Sequence, residues 1–334
     1  MHPSSADRRF ARYRSSFTTL LTLAAVVPPL RMATAQAPKL AVSDWSAVEQ
    51  ALGRKGTLSA GDVIRFGFPR GDLQVTIAGL AIKPTLALGS WVAFKRIGRI
   101  AIAMGDFVLT EAELDPVMKR LQAGGVEQTA VHHHVIGESP RVLYMHISAH
   151  GDAMKIAETV YGALSLTNTP LLTPTTAAAP TAPTAAAAPT TPTVPVVAAT
   201  LGLDTAGIAQ TLGFGGRMNG GVYQVNVPRA EHIMEHGTEI TPAMGMATAI
   251  NFQPTGGGKA AITGDFVLLA AEVNPVIRAL MSHGIAVTSV HSHMLTETPR
   301  LFFMHFWAVD DAGTLATGLR AALDATKVLK TISR

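Results

Sequence analysis

The sequence predicts an α+β fold in two tandem homologous units, each a ferredoxin-like strand-helix-hairpin-helix core with extra N-terminal strands. Three observations carry this reading. The chain has 334 residues, 48% of them hydrophobic and 15% charged, enough apolar content for about two buried cores. Its two halves superpose on a constant shift over roughly sixty positions, the mark of an internal duplication. GDFVLTEAELDPVMKRLQAGGVEQTAVHHHVIGESPRVLYMHISAHGDA, from Gly105, lies over GDFVLLAAEVNPVIRALMSHGIAVTSVHSHMLTETPRLFFMHFWAVDDA, from Gly264. A stretch made almost wholly of Thr, Pro and Ala separates the copies.

Within the first copy the elements follow from periodicity. Trp45 to Leu52 reads as a short amphipathic helix. Alternating runs at Val63 to Phe68, Leu73 to Ile77, Trp91 to Phe94 and Ile100 to Met104 read as strands. Thr110 opens a helix as N-cap with Glu113 at the capping-box spacing, and Gly124-Gly125 ends it. Val126 to Val135 is a strand, Ile136 to Pro140 a turn and Arg141 to Ser148 a second strand. Asp152 then caps a last helix to about Leu164. Strand, helix, hairpin and helix in this order make the ferredoxin-like core.

The flanks divide the chain further. A basic start, an apolar stretch from Phe17 to Val27 and the small-residue site Ala33-Thr34-Ala35 read as a secretory signal peptide over residues 1–35, cleaved before Gln36. The first unit spans residues 40–166, the linker 167–200 and the second unit 201–330. The proline spacing of the linker favours an extended, semi-stiff tether. The predicted location is therefore periplasmic or secreted, with no stable membrane anchor after cleavage.

Charge and cysteine content exclude whole classes. The formal charge is +4, but Arg8, Arg9, Arg12, Arg14 and Arg31 all lie in the signal segment, so the mature chain is near neutral. That removes the electrostatic basis of nucleic-acid binding. No apolar run reaches the roughly 18 to 20 residues of a spanning helix. With no cysteine there is no disulfide, thiolate metal site or cysteine nucleophile, and any metal must be held by nitrogen and oxygen.

Chemistry concentrates in the hairpin. His132 and His134 are two apart and project from one face of a strand, and His146 lies on the antiparallel partner. With His132 opposite His146, the three imidazoles share one patch. Such a set suits zinc, copper, nickel or iron and leaves a coordination position open. The second copy repeats it as His291, His293 and His305, while His133 is replaced by Ser292 and His150 by Val309.

Glu138 and Glu297 stand at the two turns, each ahead of a Pro-Arg pair. Each is a candidate fourth ligand or proton-transfer group beside a metal-bound water, and alternatively a partner that fixes the turn. Asp106 and Asp265, in the GDFVL segments, read as turn caps first and as acceptors for imidazole N–H groups second. Arg70 and Arg229, each in a Pro-Arg step at a strand end, read as surface residues first and as binders of an anionic ligand second. Gly256-Gly257-Gly258-Lys259 lacks the phosphate-loop spacing and reads as a hairpin turn.

The residues MGDFVLTEAELDPVMKRLQAGGVEQTAVHHHVIGESPRVLYMHISAHGD, with their H-x-H, E-x-P-R and M-H elements, resemble the LppY/LpqO group of bacterial exported proteins, a domain of unknown function named for mycobacterial lipoproteins. The resemblance covers both units and implies export but no established reaction. Members show an H-N-H core and a G-H-G-D ending. Here His133 or Ser292 stands in the middle, and Ala308, Val309, Asp310 and Asp311 replace the ending in the second copy. The absence of a lipid-anchoring cysteine implies a soluble exported form.

Three functions remain open from the sequence. The first is a metal-binding protein with one histidine site in each repeat. The second is a metal-dependent enzyme, hydrolytic or oxidative, in which Glu138 or Glu297 moves the proton. The third is a bivalent module that binds a small-molecule or cell-envelope ligand without metal, its units held apart by the linker.

Overall fold

The computed structural model describes residues 44–171 and 202–329. Residues 1–43, which include the predicted signal segment, and residues 172–201, which include most of the predicted linker, lie outside the described residues.

The first repeat runs α1 (Ser46–Ala51), β1 (Thr57–Ser59) and β2 (Val63–Pro69), then an excursion holding β3 (Thr76–Ile77), β4 (Leu80–Ala81) and α2 (Pro84–Ala87). It continues with β5 (Gly89–Ile97), β6 (Ile100–Thr110), α3 (Glu111–Ala123), β7 (Glu127–His132), β8 (Glu138–Ser139), β9 (Val142–Gly151) and α4 (Ala153–Leu164). The second repeat matches it: α5 (Thr205–Leu212), β10 (Gly216–Asn219) and β11 (Val222–Pro228), then an excursion with β12 (Ile233–Glu235), β13 (Thr238–Ile240) and a 3-10 turn at Pro242–Met244. The rest is β14 (Ala247–Gly256), β15 (Lys259–Leu269), α6 (Ala270–Ser282), β16 (Ala286–His291), β17 (Leu301–Asp311) and α7 (Ala312–Asp324).

Each repeat builds one antiparallel six-stranded sheet, in the orders β1-β2-β5-β6-β9-β7 and β10-β11-β14-β15-β17-β16. Side-chain alternation gives each sheet two faces. Ala101, Ala103, Phe107 and Leu109 of β6 join Met145 and Ile147 of β9 under the helices, with Val117, Leu121, Ile156 and Val160. The other face carries Ile102 and Met104, which pack with Val267, Leu301 and Phe303 of the second repeat. The inner faces of the two sheets therefore meet, giving a mixed α/β architecture in four layers, helix, sheet, sheet and helix. The two repeats are not bodies held apart by the linker, as a bivalent tether would require.

The excursions interlock the halves. Gln253 of β14 accepts from the Lys83 amide (2.9 Å) and donates to the Ala81 carbonyl (2.7 Å), and Asn251 donates to the Leu86 carbonyl (3.2 Å). Reciprocally, Arg65 of β2 donates to the Ala243 carbonyl of the second excursion (3.2 Å).

Local sequence explains most boundaries. The Glu113 carboxylate accepts from the Thr110 amide at 2.8 Å, and Asp152 accepts from the Lys155 amide at 3.0 Å, so both helices start where the spacing predicts. Gly256 pairs with Lys259 across the predicted hairpin turn. Three expectations change. The GDFVL segment is strand, not turn: β6 runs through it because Phe107 and Leu109 continue the buried alternation. Gly105 fits there because a Cβ would stand 2.6 Å from the Trp91 carbonyl oxygen. The strand predicted at Leu73 to Ile77 shortens to Thr76–Ile77.

Arg70 and Arg229 are buried, not on the surface. Arg70 pairs with Glu113 (2.8 Å) and Asp72 (2.8 Å) and donates to the Val108 carbonyl (2.6 Å). Arg229 repeats this with Glu272 (2.7 Å), Glu231 (2.8 Å) and the Val267 carbonyl (2.6 Å). Burial alone would push the Glu113 carboxyl up; the Arg70 guanidinium and the Thr110 and Asn168 amides overcome it and hold the group below the ordinary carboxylate value.

Candidate metal centre

His146 and His305 are placed by β9 and β17; His132 and His291 end the edge strands β7 and β16, and His134 and His293 lie just past them, because the strand predicted to reach Val135 stops at His132. His146 of β9 stands directly opposite Asp106 of β6, and His305 of β17 stands opposite Asp265 of β15. The hairpin register differs from the predicted one. His132 lies opposite Tyr144 and Ala130 opposite His146, a register two residues from the predicted one that is set on the turn side, and a bulge between Gln128 and Ala130 shifts the pairing only beyond it. His132 and His146 keep the same face as diagonal neighbours. The second repeat has the same bulge, with Ser289 opposite His305 and His291 opposite Phe303.

The sheet-to-sheet packing brings both triads into one cluster, where the sequence suggested a separate site in each hairpin. The His132 and His291 rings stack at 3.7 Å between centroids. His134 lies 3.8 Å from His305, and its counterpart His293 lies 3.7 Å from His146. Each set of distances has its equal in the other half, so the cluster has approximate twofold symmetry. Reciprocal hydrogen bonds brace it: Thr129 donates to the His293 carbonyl (2.7 Å) and Thr288 to the His134 carbonyl (2.5 Å).

Several donor atoms are directed inward without partners. The His305 Nδ1–H donates to the Gly264 carbonyl (2.6 Å), which leaves its Nε2 as a lone pair. That atom is 3.3 Å from His132 Nε2, and His291 Nε2 is 3.0 Å from His293 Nε2. His132 Nδ1, His134 Nε2, His146 Nε2, Asp106 Oδ1 and Asp265 Oδ1 are buried with no hydrogen-bond partner among the described residues. The carboxylates sit close: Asp265 Oδ2 is 3.0 Å from His293 Nε2, and Asp106 Oδ2 is 3.4 Å from His134 Nε2.

Burial and neighbouring imidazoles hold His132, His134, His146 and His291 well below the ordinary histidine value; burial alone does so for His293. Burial also lowers His305, although the Asp265 charge opposes it. All six are thus neutral, the form that ligates metal. Burial raises Asp265 to about 6, and burial with the Asp265 charge raises Asp106 to about 8.

Glu138 and Glu297 make their contacts at the turns. Glu297 accepts from the Leu301 amide (2.8 Å) and from Arg300 (3.1 Å). Glu138 accepts from the Val142 amide (3.3 Å) and lies 3.5 Å from His133. His133 itself turns to the Val142 carbonyl (2.8 Å), outside the cluster. The carboxylates beside the imidazoles are Asp106 and Asp265, which the sequence reading placed in turns. The strand alternation of GDFVL was the signal available for them. The halves differ at one stacking residue: Tyr144 lies against His134 and Phe303 against His293, and the Tyr144 hydroxyl is buried without a partner among the described residues.

Fold and site together define a tandem α/β repeat protein with a histidine-rich centre between its halves. The chain belongs to the family described as Domain of Unknown Function (DUF1259), whose pattern matches it twice, at residues 46–166 and 206–325. No curated protein matches the chain. Among solved structures, it is similar to a trimeric bacterial microcompartment shell protein, PduB, at 12% identity and a TM-score of 0.21, covering 82% of this chain and 91% of that one. EtuB from Clostridium kluyveri shares 11% identity at a TM-score of 0.18, covering 80% of this chain and 88% of that one. The backbones differ too much for either likeness to inform function.

Proposed function

We propose that this is an exported protein, of the LppY/LpqO type, that binds a divalent transition metal in the centre formed jointly by His132, His134, His146, His291, His293 and His305. The reading includes cleavage of residues 1–35, units at 40–166 and 201–330 joined by the 167–200 linker, and a periplasmic or secreted location. It also takes each unit as ferredoxin-like, with β5 in the outer position that a strand after the last helix would otherwise fill.

One observation carries the metal reading. Six convergent imidazoles leave three buried ring nitrogens and two carboxylate oxygens unpartnered among the described residues. Each unsatisfied buried group costs about 1–3 kcal/mol, a cost that ligation removes for His134 Nε2 and His146 Nε2, while His132 has its Nε2 directed at His305. A purely hydrogen-bonded histidine cluster accounts for the 3.0 and 3.3 Å ring contacts but not for these orphans. The nitrogen-rich donor set suits zinc, copper, nickel or ferrous iron and disfavours magnesium and calcium.

A metal-dependent enzyme is the second reading, favoured by the partial exposure of His132 and His291 and by the two aspartates beside the ligands. Glu138 and Glu297 would serve it only by leaving their turn contacts. The test is metal content of tag-free residues 36–334, equilibrated with trace zinc, copper, nickel and iron, beside a His132→Ala/His134→Ala/His291→Ala/His293→Ala variant. Near-stoichiometric metal that the variant loses is expected. Background metal in a folded native chain refutes both metal readings.

A further inference from the structure

We infer that the centre is dinuclear, holding two divalent transition-metal ions in crossed triads, His132, His134 and His305 around one and His291, His293 and His146 around the other. The inference rests on the metal-binding reading above and adds number and arrangement to it. Neither repeat by itself contributes all three imidazoles of either triad.

Spacing is the first argument. In a tetrahedral site with metal–nitrogen distances of about 2.0–2.1 Å, two ligand nitrogens stand about 3.3–3.4 Å apart. His132 Nε2 and His305 Nε2, from different repeats, are 3.3 Å apart, and His291 Nε2 and His293 Nε2 are 3.0 Å apart. The first pair has the spacing of two ligands on one ion and the second is slightly closer; sharing no residue, the pairs fall in different triads.

Symmetry is the second argument. Ring-centroid distances within the first triad are 5.0 Å for His132–His134, 5.3 Å for His132–His305 and 3.8 Å for His134–His305. In the second they are 4.9, 5.3 and 3.7 Å for the corresponding pairs His291–His293, His146–His291 and His146–His293. The donors of His132, His134 and His305 come within 4.8 Å of one another. In the second triad the donors of His291 and His293 converge within that distance with Asp265, and His146 does so with Asp106 and His134; His132, His146 and His291 also converge, because the triads adjoin at the stacked His132/His291 pair.

Donor number is the third. One four-coordinate ion leaves at least two imidazoles and both aspartates of the cluster without a metal. Two ions use all six imidazoles, with Asp106 beside His134 and Asp265 beside His293 as a carboxylate for each.

The test uses the whole mature chain, stripped with chelator and titrated with Cu(II). Two tightly bound ions per chain are expected, with a half-field electron paramagnetic resonance signal from coupling between neighbouring ions. One ion and no coupling overturns the dinuclear inference and leaves the metal-binding reading standing; no bound ion overturns both. Two triple variants test the crossing. His132→Ala/His134→Ala/His305→Ala should keep one ion at native affinity, and His132→Ala/His134→Ala/His146→Ala should keep none at native affinity. The reverse pattern overturns the crossed triads. Should either variant fail to fold, Co(II) titration of the single variants His305→Gln and His146→Gln decides: each is expected to weaken one of two sites, and weakening of the same site by His305→Gln and His132→Gln fixes the crossing, while weakening of different sites refutes it.

Discussion

At the scale of residues, the aspartates are as informative as the histidines. Asp106 and Asp265 face His146 and His305 across the strand ladder and lie within 3.4 Å and 3.0 Å of His134 and His293. Carboxylates so placed orient imidazoles or join the coordination, and their loss typically weakens metal binding about 10–100-fold. Asp106→Asn and Asp265→Asn are expected to raise the metal dissociation constant by that factor, read by competition with a chromophoric chelator; unchanged affinity would make the aspartates bystanders. The pH dependence of the metal-free chain follows from the same groups. The six imidazoles of the cluster are held below 6.5, so only the unfolded chain takes up their protons as pH falls through that value. Asp106 and Asp265, raised to about 8 and about 6, act oppositely and lose stability as pH rises from 3.8. Imidazoles outnumber carboxylates, so stability falls between pH 6.5 and 5, by about 1.4 kcal/mol per pH unit for each net proton. Thermal melts with chelator present should give a lower Tm at pH 5 than at pH 7, and an equal or higher one would contradict the neutral cluster.

At the scale of elements, each repeat is pinned by the buried Arg70 or Arg229 network, which ties the end of β2 or β11 to the start of α3 or α6. Removing one partner of a buried ion pair costs about 3–5 kcal/mol because the other charge stays buried. Arg70→Ala and Arg229→Ala should each lower unfolding free energy by that amount in urea melts, while an exposed pair such as Lys119–Asp115 should contribute under about 1 kcal/mol. Much at this scale was legible in the sequence. The caps at Thr110 and Asp152, the hairpin at Gly256 and the order of strands and helices follow from local patterns. The burial of Arg70 was not legible, because a Pro-Arg step at a strand end looks the same whether the next layer is solvent or a helix start. The register of His132 was not legible either, since β7 and β9 are joined by a connection too long for its residues to fix which pair faces which.

At the scale of the molecule, the duplication builds one interior from two inner sheet faces. The run from Ala101 to Leu109 is buried at every position, as a strand covered on both faces requires. What covers the second face could not be read, because contacts between the repeats join residues more than a hundred positions apart. The mutual clasp of the excursions makes each half dependent on the other. Residues 40–166 alone would expose Ile102, Met104 and Val108, and are expected to lack the cooperative unfolding transition of the whole chain by circular dichroism. A sharp, independent transition would contradict the shared core. The most direct test of the central claim is anomalous diffraction at the zinc edge from crystals of the zinc-loaded mature chain. Peaks between the two sheets, each bonded by imidazoles of both repeats, are the predicted result; peaks elsewhere, or none among the six histidines, would contradict it.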